Sequence, residues 1–189
     1  MGNVNGTISS VIGRDDLTTS QREQWRKDAV NKAKTFAKDK LGVKDTSQLD
    51  SRDWQNVLDA GTALEQWRTA ALAVIGNNYS VFQAVAAPVL AANKVAVFYG
   101  VGIEDVPLPV SQIIFRTGGI NGNILYQFDL EHMVNNLECV GYFSEPVVIG
   151  PTQPFAVQVV ARIATGLFAR VQLLAYTIEP KGLTVTGNP

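Results

Sequence analysis

Two stretches near the end of the chain decide its fold class: they read FAVQVVAR at residues 155–162 and FARVQLLAY at residues 168–176. Both show the two-residue period of β-strands. Their two faces are apolar apart from Gln158, Arg162, Arg170 and Gln172. A free two-layer sheet presents a polar outer face, so these strands require a further covering layer from the rest of the chain or from neighbouring subunits.

The same strand pattern extends back to Lys94. Residues 1–93 carry 21 charged side chains and residues 94–189 carry 12, so the second half must hide most of its surface. The alternation predicts strands at 94–103, 110–117, 123–130, 137–143, 146–149, 154–164, 167–179 and 183–186. Thr165-Gly166 predicts a tight hairpin between the last two long strands. Because no helix-length segment separates the strands after residue 110, we predict an antiparallel β-sandwich.

The residues before Lys94 predict an arm and helices. Residues 1–17 are rich in Gly, Asn, Ser and Asp, which is typical of a flexible arm. A capping box at 20–23 and Gly42 predict the start and end of a first helix. One face of this helix carries the stripe Trp25, Ala29, Ala33, Phe36 and Ala37. The stripe is narrow and suits docking on another layer.

A second helix is predicted from Ser51 to Gly76, and a third helical piece runs from Ser80 to a stop at Pro88. The run 70–75 is apolar all round, so we expect it to be wedged between layers. The sequence therefore predicts an α+β fold with a flexible arm (1–17), a helical region (18–93) and a β-sandwich (94–189). Residues 18–189 also fit one composite domain, in which the helices and the apolar strands cover one another.

The residues that carry enzyme chemistry are few. His132 is the only histidine, which excludes a two-histidine metal site within one chain. Asp129, Glu131, His132, Glu138 and Cys139 surround a predicted loop, but their spacing matches no metal motif. Cys139 fits the role of a small buried residue. We predict a protein that is not an enzyme and has no cofactor, metal or small-molecule substrate, with catalysis by His132 and its carboxylate neighbours as a third hypothesis.

Residues 20–44 form a basic segment, with eight basic and three acidic side chains. A basic amphipathic helix can bind nucleic acid, a lipid surface or an acidic protein face, and the alternative is an ordinary solvated helix. Two further arginines belong to the late strands. The predicted interaction surface consists of Arg22, Arg26, Lys27, Lys34, Lys38, Arg162 and Arg170.

The sequence shows neither a signal peptide nor a membrane span. The N-terminus lacks a basic region followed by an apolar run. The most apolar stretch, 81–103, is interrupted by Gln83, Pro88, Asn93 and Lys94. A spanning helix rarely tolerates these residues. We therefore expect a buried helix that leads into a strand.

The closing segment VQLLAYTIEPKG at residues 171–182 resembles the last strand of β-structured virion proteins of bacterial viruses. The order of arm, helices and charge-poor sandwich is similar to that of capsid or capsid-associated jelly-roll subunits. The resemblance implies a self-assembling structural subunit, which binds copies of itself and other virion proteins and resides in the virion after assembly in the host cytoplasm. Residues 94–186 are shorter than usual for such proteins, which implies a smaller variant of the jelly roll.

The alternative function is a β-sandwich binding module. Its loops at 103–110, 117–123 and 129–137 would then recognise a glycan or a protein ligand.

Overall fold

The structure is a computed structural model that describes residues 8–61, 67–82, 87–133 and 139–182. This part of the chain is mostly β-structure with one long helix, α1 (Thr19–Leu41), which confirms the α+β class. A π-helical turn spans Asn56–Ala60. The strands are β1 (Ile8–Gly13), β2 (Leu49–Asp53), β3 (Arg68–Ala71), β4 (Asn78–Ser80), β5 (Val95–Ile103), β6 (Val110–Thr117), β7 (Ile124–Asp129), β8 (Val140–Ile149), β9 (Phe155–Ala161) and β10 (Phe168–Pro180).

Nine of the strands form one curled sheet in the order β2-β10-β5-β8-β1-β7-β6-β9-β4, and β3 pairs with β10 beside this path. Strand β1 joins two halves of the sheet. Its residues 8–10 run parallel to β7, and its residues 11–13 run antiparallel to β8. We call β2, β10, β5 and β8 the helix-covered half, and β7, β6, β9 and β4 the glutamine-faced half.

The two halves share one apolar core. Phe98 of the helix-covered half lies 5.4 Å from Phe115 of the glutamine-faced half, between ring centroids. Phe128 and Phe143 stack across the halves at 4.3 Å. These rings are fully buried. Aromatic contacts of this kind stabilise the fold beyond the burial of apolar area, so they help to hold the two halves of the sheet together.

Helix α1 packs on the outer face of the helix-covered half. Ala29, Ala33 and Ala37 are buried there against Val97 and Ile178, among other residues. Small side chains allow the helix to approach the sheet closely. Thr18 and Gln21 form a capping box at the start of the helix, and Gly42 ends it in the left-handed conformation (φ 66°). The helix therefore supplies part of the covering layer that the sequence requires.

The outer face of the other half combines polar side chains with the buried apolar residues Ile114 and Ala156. Its outward positions include Gln112, Gln127, Gln158 and Arg116. The Gln127 amide donates to the Gln112 carbonyl at 2.8 Å, and the Arg116 guanidinium donates to the Gln158 carbonyl at 2.8 Å. Hydrogen bonds between neighbouring strands thus replace an apolar covering layer on this face.

Several predicted elements are confirmed. Strands form as expected near 94–103, 110–117 and 123–130, while 137–143 and 146–149 merge into the single strand β8. The first helix forms as predicted but begins two residues earlier, because its N-cap is Thr18 and not Ser20. The predicted strand at 183–186 lies outside the described residues.

Other predictions were wrong. Of the predicted arm, residues 8–13 form β1 within the chain's own sheet. The predicted second helix is replaced by β2, the π-helical turn and β3, because pairing with β10 overrides the helical spacing. The predicted start of the third helical piece, Ser80, is instead the last residue of β4, which pairs with β9, and residues 83–86 of that piece lie outside the described residues.

The run 70–75 is not wedged between layers, since Val74 and Ile75 are 51% and 64% exposed. The hairpin at Thr165-Gly166 is also wrong. Strand β9 pairs with β6 and β4, whereas β10 pairs with β5, β2 and β3. The loop between them therefore crosses from one half of the sheet to the other.

Candidate interaction surface

Five of the seven predicted interaction residues lie on α1, above the helix-covered half. Arg26, Lys27 and Lys38 are exposed, and Arg22 and Lys34 are half-buried. The Arg22 guanidinium donates to the Leu17 carbonyl at 3.1 Å, which ties the start of the helix to the preceding turn. The structure thus gathers these cations on one element, as the sequence predicts.

A groove of about 470 Å³ runs along one side of α1, between the helix and the edge formed by β2 and β10. We call it the Arg26 groove; it is lined by Arg26, Lys27, Val30, Asn31, Ser51 and Tyr176. The Arg26 guanidinium donates to the Tyr176 hydroxyl at 2.9 Å and pairs with Glu23 at 3.0 Å. The interaction with Tyr176, followed by that with Glu23, raises the pKa of Arg26.

Tyr176 belongs to a ladder of three tyrosines across β10, β5 and β8. Tyr99 stacks on Tyr176 with ring centroids 5.7 Å apart, and Tyr142 stacks on Tyr99 at 6.4 Å. The Arg26 guanidinium lies 5.9 Å from the centroid of the Tyr176 ring. Burial raises the pKa of Tyr99, so this phenol stays neutral. The ladder gives the groove a rigid floor.

A second groove, of about 570 Å³, lies on the opposite side of the helix. The Lys32 ammonium and the Glu145 carboxylate pair across it at 2.9 Å, and Asp39 also lines it. Phe36 and Tyr126 contribute apolar surface. This groove contains both signs of charge, whereas the Arg26 groove is lined by basic and neutral side chains.

Arg162 and Arg170 are separate from the basic helix. Arg170 lies six residues along β10 from Tyr176, which corresponds to roughly 20 Å at the usual rise of a strand. The Arg170 guanidinium pairs with Glu104 at 3.2 Å, and Arg162 follows β9 at the same end of the molecule. The predicted interaction surface is therefore two surfaces.

At the Arg170 end, three loops meet through backbone hydrogen bonds. The Leu72 amide donates to the Leu167 carbonyl, and the Arg162 amide donates to the Pro109 carbonyl. Several large apolar side chains of these loops are exposed. We call this set the apolar end, which consists of Val74, Ile75, Val106, Leu167 and Phe168.

Sequence reasoning missed a buried ion network at the edge of the helix-covered half. The Asp59 carboxylate is completely buried and accepts from the Arg52 guanidinium through both oxygens, at 2.6 and 2.8 Å. The carboxylate also accepts hydrogen bonds from the Lys94 ammonium at 3.1 Å and from the Thr177 hydroxyl at 3.0 Å. Burial opposes ionisation of Asp59, but the Arg52 bonds, the Gln55 amide and Lys94 together lower its pKa.

This network fixes the π-helical turn against β10. Lys94 and Thr177 stand 35 and 118 residues from Asp59. Arg52 and Asp59 are seven residues apart, but they fall where the apolar spacing predicts a helix. No local signal marks them as partners. Arg52 also pairs with Glu179 at 3.3 Å, so the network stabilises the pairing of β2 with β10.

Of the residues considered for catalysis, the structure describes Asp129, Glu131, His132 and Cys139. His132 is exposed on a short 3₁₀ turn, and Cys139 is buried. Burial raises the pKa of the Cys139 thiol, which disfavours the nucleophilic thiolate. Within the described ranges, no three His, Cys, Asp or Glu side chains are grouped to hold a metal ion. Glu138 lies outside those ranges.

The comparisons with known proteins add no relative, since no protein-family model and no curated protein matches this chain. Among the helices that the structure describes, none has the length and apolar character needed to cross a membrane.

Proposed function

We propose that the chain is a structural subunit of a virus capsid or capsid-associated assembly, with its curled sheet arranged as a small jelly-roll sandwich. The strand order carries this proposal. Apart from β1 and β3, the halves contain four strands each, in the orders β2-β10-β5-β8 and β7-β6-β9-β4. Every connection between these eight strands in chain order passes from one half to the other, except the hairpin from β6 to β7. Jelly rolls are wound from eight strands as two Greek keys in this alternating manner, and viral capsid domains are among their main uses.

The apolar end supports assembly. Val106 and Leu167 are 76% and 68% exposed, and they belong to loops that meet at one end of the sheet. Exposed apolar residues that cluster, rather than being scattered singly, mark sites of protein association. A subunit without enzymatic activity that binds copies of itself and other virion proteins fits this surface.

The binding-module alternative also uses loops, and jelly rolls occur in lectin domains. The exposed apolar residues at this end are four aliphatic side chains and Phe168, which suit a protein contact better than a sugar, and the charged pair Arg170–Glu104 lies at the same end. We therefore retain assembly as the proposed function.

Light scattering during size-exclusion chromatography and electron microscopy of the purified chain test the proposal. We expect large homogeneous particles or rings whose fraction rises with protein concentration. The double variant Val106→Glu/Leu167→Glu should remain monomeric with an unchanged circular dichroism spectrum, because charge on the apolar end prevents its burial. Ile120→Glu/Leu125→Glu places the same charges on apolar side chains of the glutamine-faced half and should still assemble.

A wild-type chain that stays monomeric at every concentration, alone and with its fellow virion proteins, would contradict the proposed function. Equal loss of assembly in both double variants would contradict only the role of the apolar end.

A further inference from the structure

The Arg26 groove has the chemistry of an anion site. Among its lining residues, Arg26 and Lys27 are cations, Asn31 carries an amide, and Ser51 and Tyr176 carry hydroxyls. None of the lining residues in the described part of the chain carries a carboxylate, and the nearest partner carboxylate is that of Glu23, which pairs with Arg26 at 3.0 Å. In the described part of the chain, no acceptor binds the Lys27 ammonium, and Arg26 uses only part of its five donors on Tyr176 and Glu23. A negatively charged group in the groove would meet several donors at once.

The surrounding charge favours a large polyanion over a small ion. Residues 20–44 hold eight basic and three acidic side chains, although the whole chain has a formal net charge of -1. Positive charge is therefore concentrated on α1, and the rest of the chain is acidic. Such separation directs a polyanion to the helix and away from other surfaces.

A lipid surface fits α1 less well than nucleic acid. Membrane-bound helices insert large apolar side chains between lipids. No large apolar residue of α1 is exposed, since Trp25, Val30, Phe36 and Leu41 are half-buried against the protein. The outward face of the helix presents charged and polar groups only, which suits a phosphate backbone.

The groove recognises the backbone rather than the bases. Base recognition without pairing relies on a free aromatic face. The ring of Tyr176 stacks on Tyr99 and is approached by the guanidinium of Arg26, so it offers no free platform. A volume of about 470 Å³ accommodates a sugar-phosphate unit.

We propose that the Arg26 groove binds the phosphodiester backbone of nucleic acid without base selectivity. Arg26 and Lys27 contact phosphate oxygens, and Asn31 and Ser51 donate hydrogen bonds to the same segment. The binding holds whether or not the chain assembles, so it is independent of the proposed structural role.

Fluorescence anisotropy with labelled twelve-nucleotide single strands of thymidine and of adenosine tests the proposal over a range of NaCl concentrations. We expect similar affinity for both strands and binding that weakens steeply as salt rises. Arg26→Gln/Lys27→Gln should lower the affinity about tenfold at low salt and reduce the salt slope by about 1.4, the value for two lost phosphate contacts on a single strand.

Lys40→Gln/Lys44→Gln is the matched control, because it removes the same charge from the same basic segment outside the groove and outside the predicted interaction surface. It should change the affinity by less than about threefold, through general screening alone. Ser51→Asp provides a second test that keeps every cation and adds a carboxylate to the groove. It should also weaken binding, whereas Asp53→Asn, two residues along β2, should strengthen it. Circular dichroism checks that each variant is folded.

Equal losses in the groove variant and the control variant would overturn the proposal, because charge on the helix would then act without a site. A strong preference for one base would overturn it too. Binding to anionic phospholipid vesicles with no binding to either oligonucleotide would replace it with a lipid contact.

Discussion

The two outer faces of the curled sheet differ although their inner faces are alike. On the helix-covered half, the outward side chains Val95, Val97 and Ile178 are fully buried beneath α1. On the glutamine-faced half, the outward positions hold Gln112, Gln127 and Arg116, which bond to neighbouring strands or backbone. Both halves share the same core, so the difference lies in their outward side chains. The helix packs on the half whose outward side chains are apolar.

This difference shows how a covering layer is encoded. A row of apolar side chains on the outer face of a sheet needs another element to cover it, whereas a row of amides can form hydrogen bonds along the sheet itself. The following substitutions test the contrast, beginning with the polar networks of the two halves.

The largest effect is expected from Asp59→Ala in the buried network. The substitution leaves Arg52 and Lys94 without their shared carboxylate, which should lower the free energy of unfolding by roughly 3–5 kcal/mol. Arg116→Ala removes the half-buried hydrogen bonds of the glutamine-faced half and should cost about 1 kcal/mol. Urea unfolding followed by tryptophan fluorescence measures both. Equal costs would show that burial of the network contributes nothing.

The second pair places a glutamine on each outer face. Val97→Gln buries an amide with no partner beneath α1, and we expect a loss of about 3 kcal/mol. Ile114→Gln adds a fourth amide beside Gln127 and Gln158 on the other face and should cost about 1 kcal/mol. Thermal unfolding distinguishes the two variants. A larger loss for Ile114→Gln would mean that this face, too, depends on an apolar cover.

The third test separates the sheet side of α1 from its solvent side. Ala33→Leu overpacks a fully buried position between the helix and the sheet and should destabilise the protein by about 1–3 kcal/mol. Gln24→Leu makes a comparable change on the exposed side and should stay within about 0.5 kcal/mol. Differential scanning calorimetry measures both. If Ala33→Leu is tolerated, the helix does not pack tightly.

The smallest effect concerns pH. Because the folded-state pKa of Asp59 is lowered, its ionisation contributes stability above the unfolded-state pKa of about 4. That contribution is lost as the pH falls through the folded-state pKa. The stability difference between the wild type and Asp59→Ala should therefore be constant near neutral pH and shrink in acid. Unfolding curves between neutral pH and pH 2 test this, and a difference that grows in acid would contradict it.

Local patterns predicted the strands after Lys94 because each has a clear period of two and glycine or proline at its ends. The first helix was predictable for the same reason, since its alanine stripe and Gly42 are local signals, although its capping box lies at Thr18 and Gln21 rather than at Ser20 and Glu23. The basic residues of α1 followed directly from that helix. Much of the fold and one side of the Arg26 groove were thus contained in short segments.

Long-range pairing was not predictable. Trp54 and Trp67 have the spacing of a helix, yet β10 recruits the flanking residues as β2 and β3 through hydrogen bonds across more than 90 residues of chain. Ser51 and Tyr176 became groove residues only through this pairing. Of the partners of Asp59, Lys94 and Thr177 are 35 and 118 residues away, and Arg52 is seven residues away in a segment whose spacing predicts a helix. Propensity and periodicity therefore do not identify this network.

Strand β1 has a consequence for synthesis. It is synthesised before the other described strands, but the strands on either side of it, β7 and β8, follow five of those strands or more. β1 therefore cannot join the two halves of the sheet until β7 and β8 have been synthesised. During that interval the β1 of another nascent chain meets the same vacant position. The insertion of β1 between β7 and β8 is thus the folding step at which two chains can exchange their β1 strands and form a dimer.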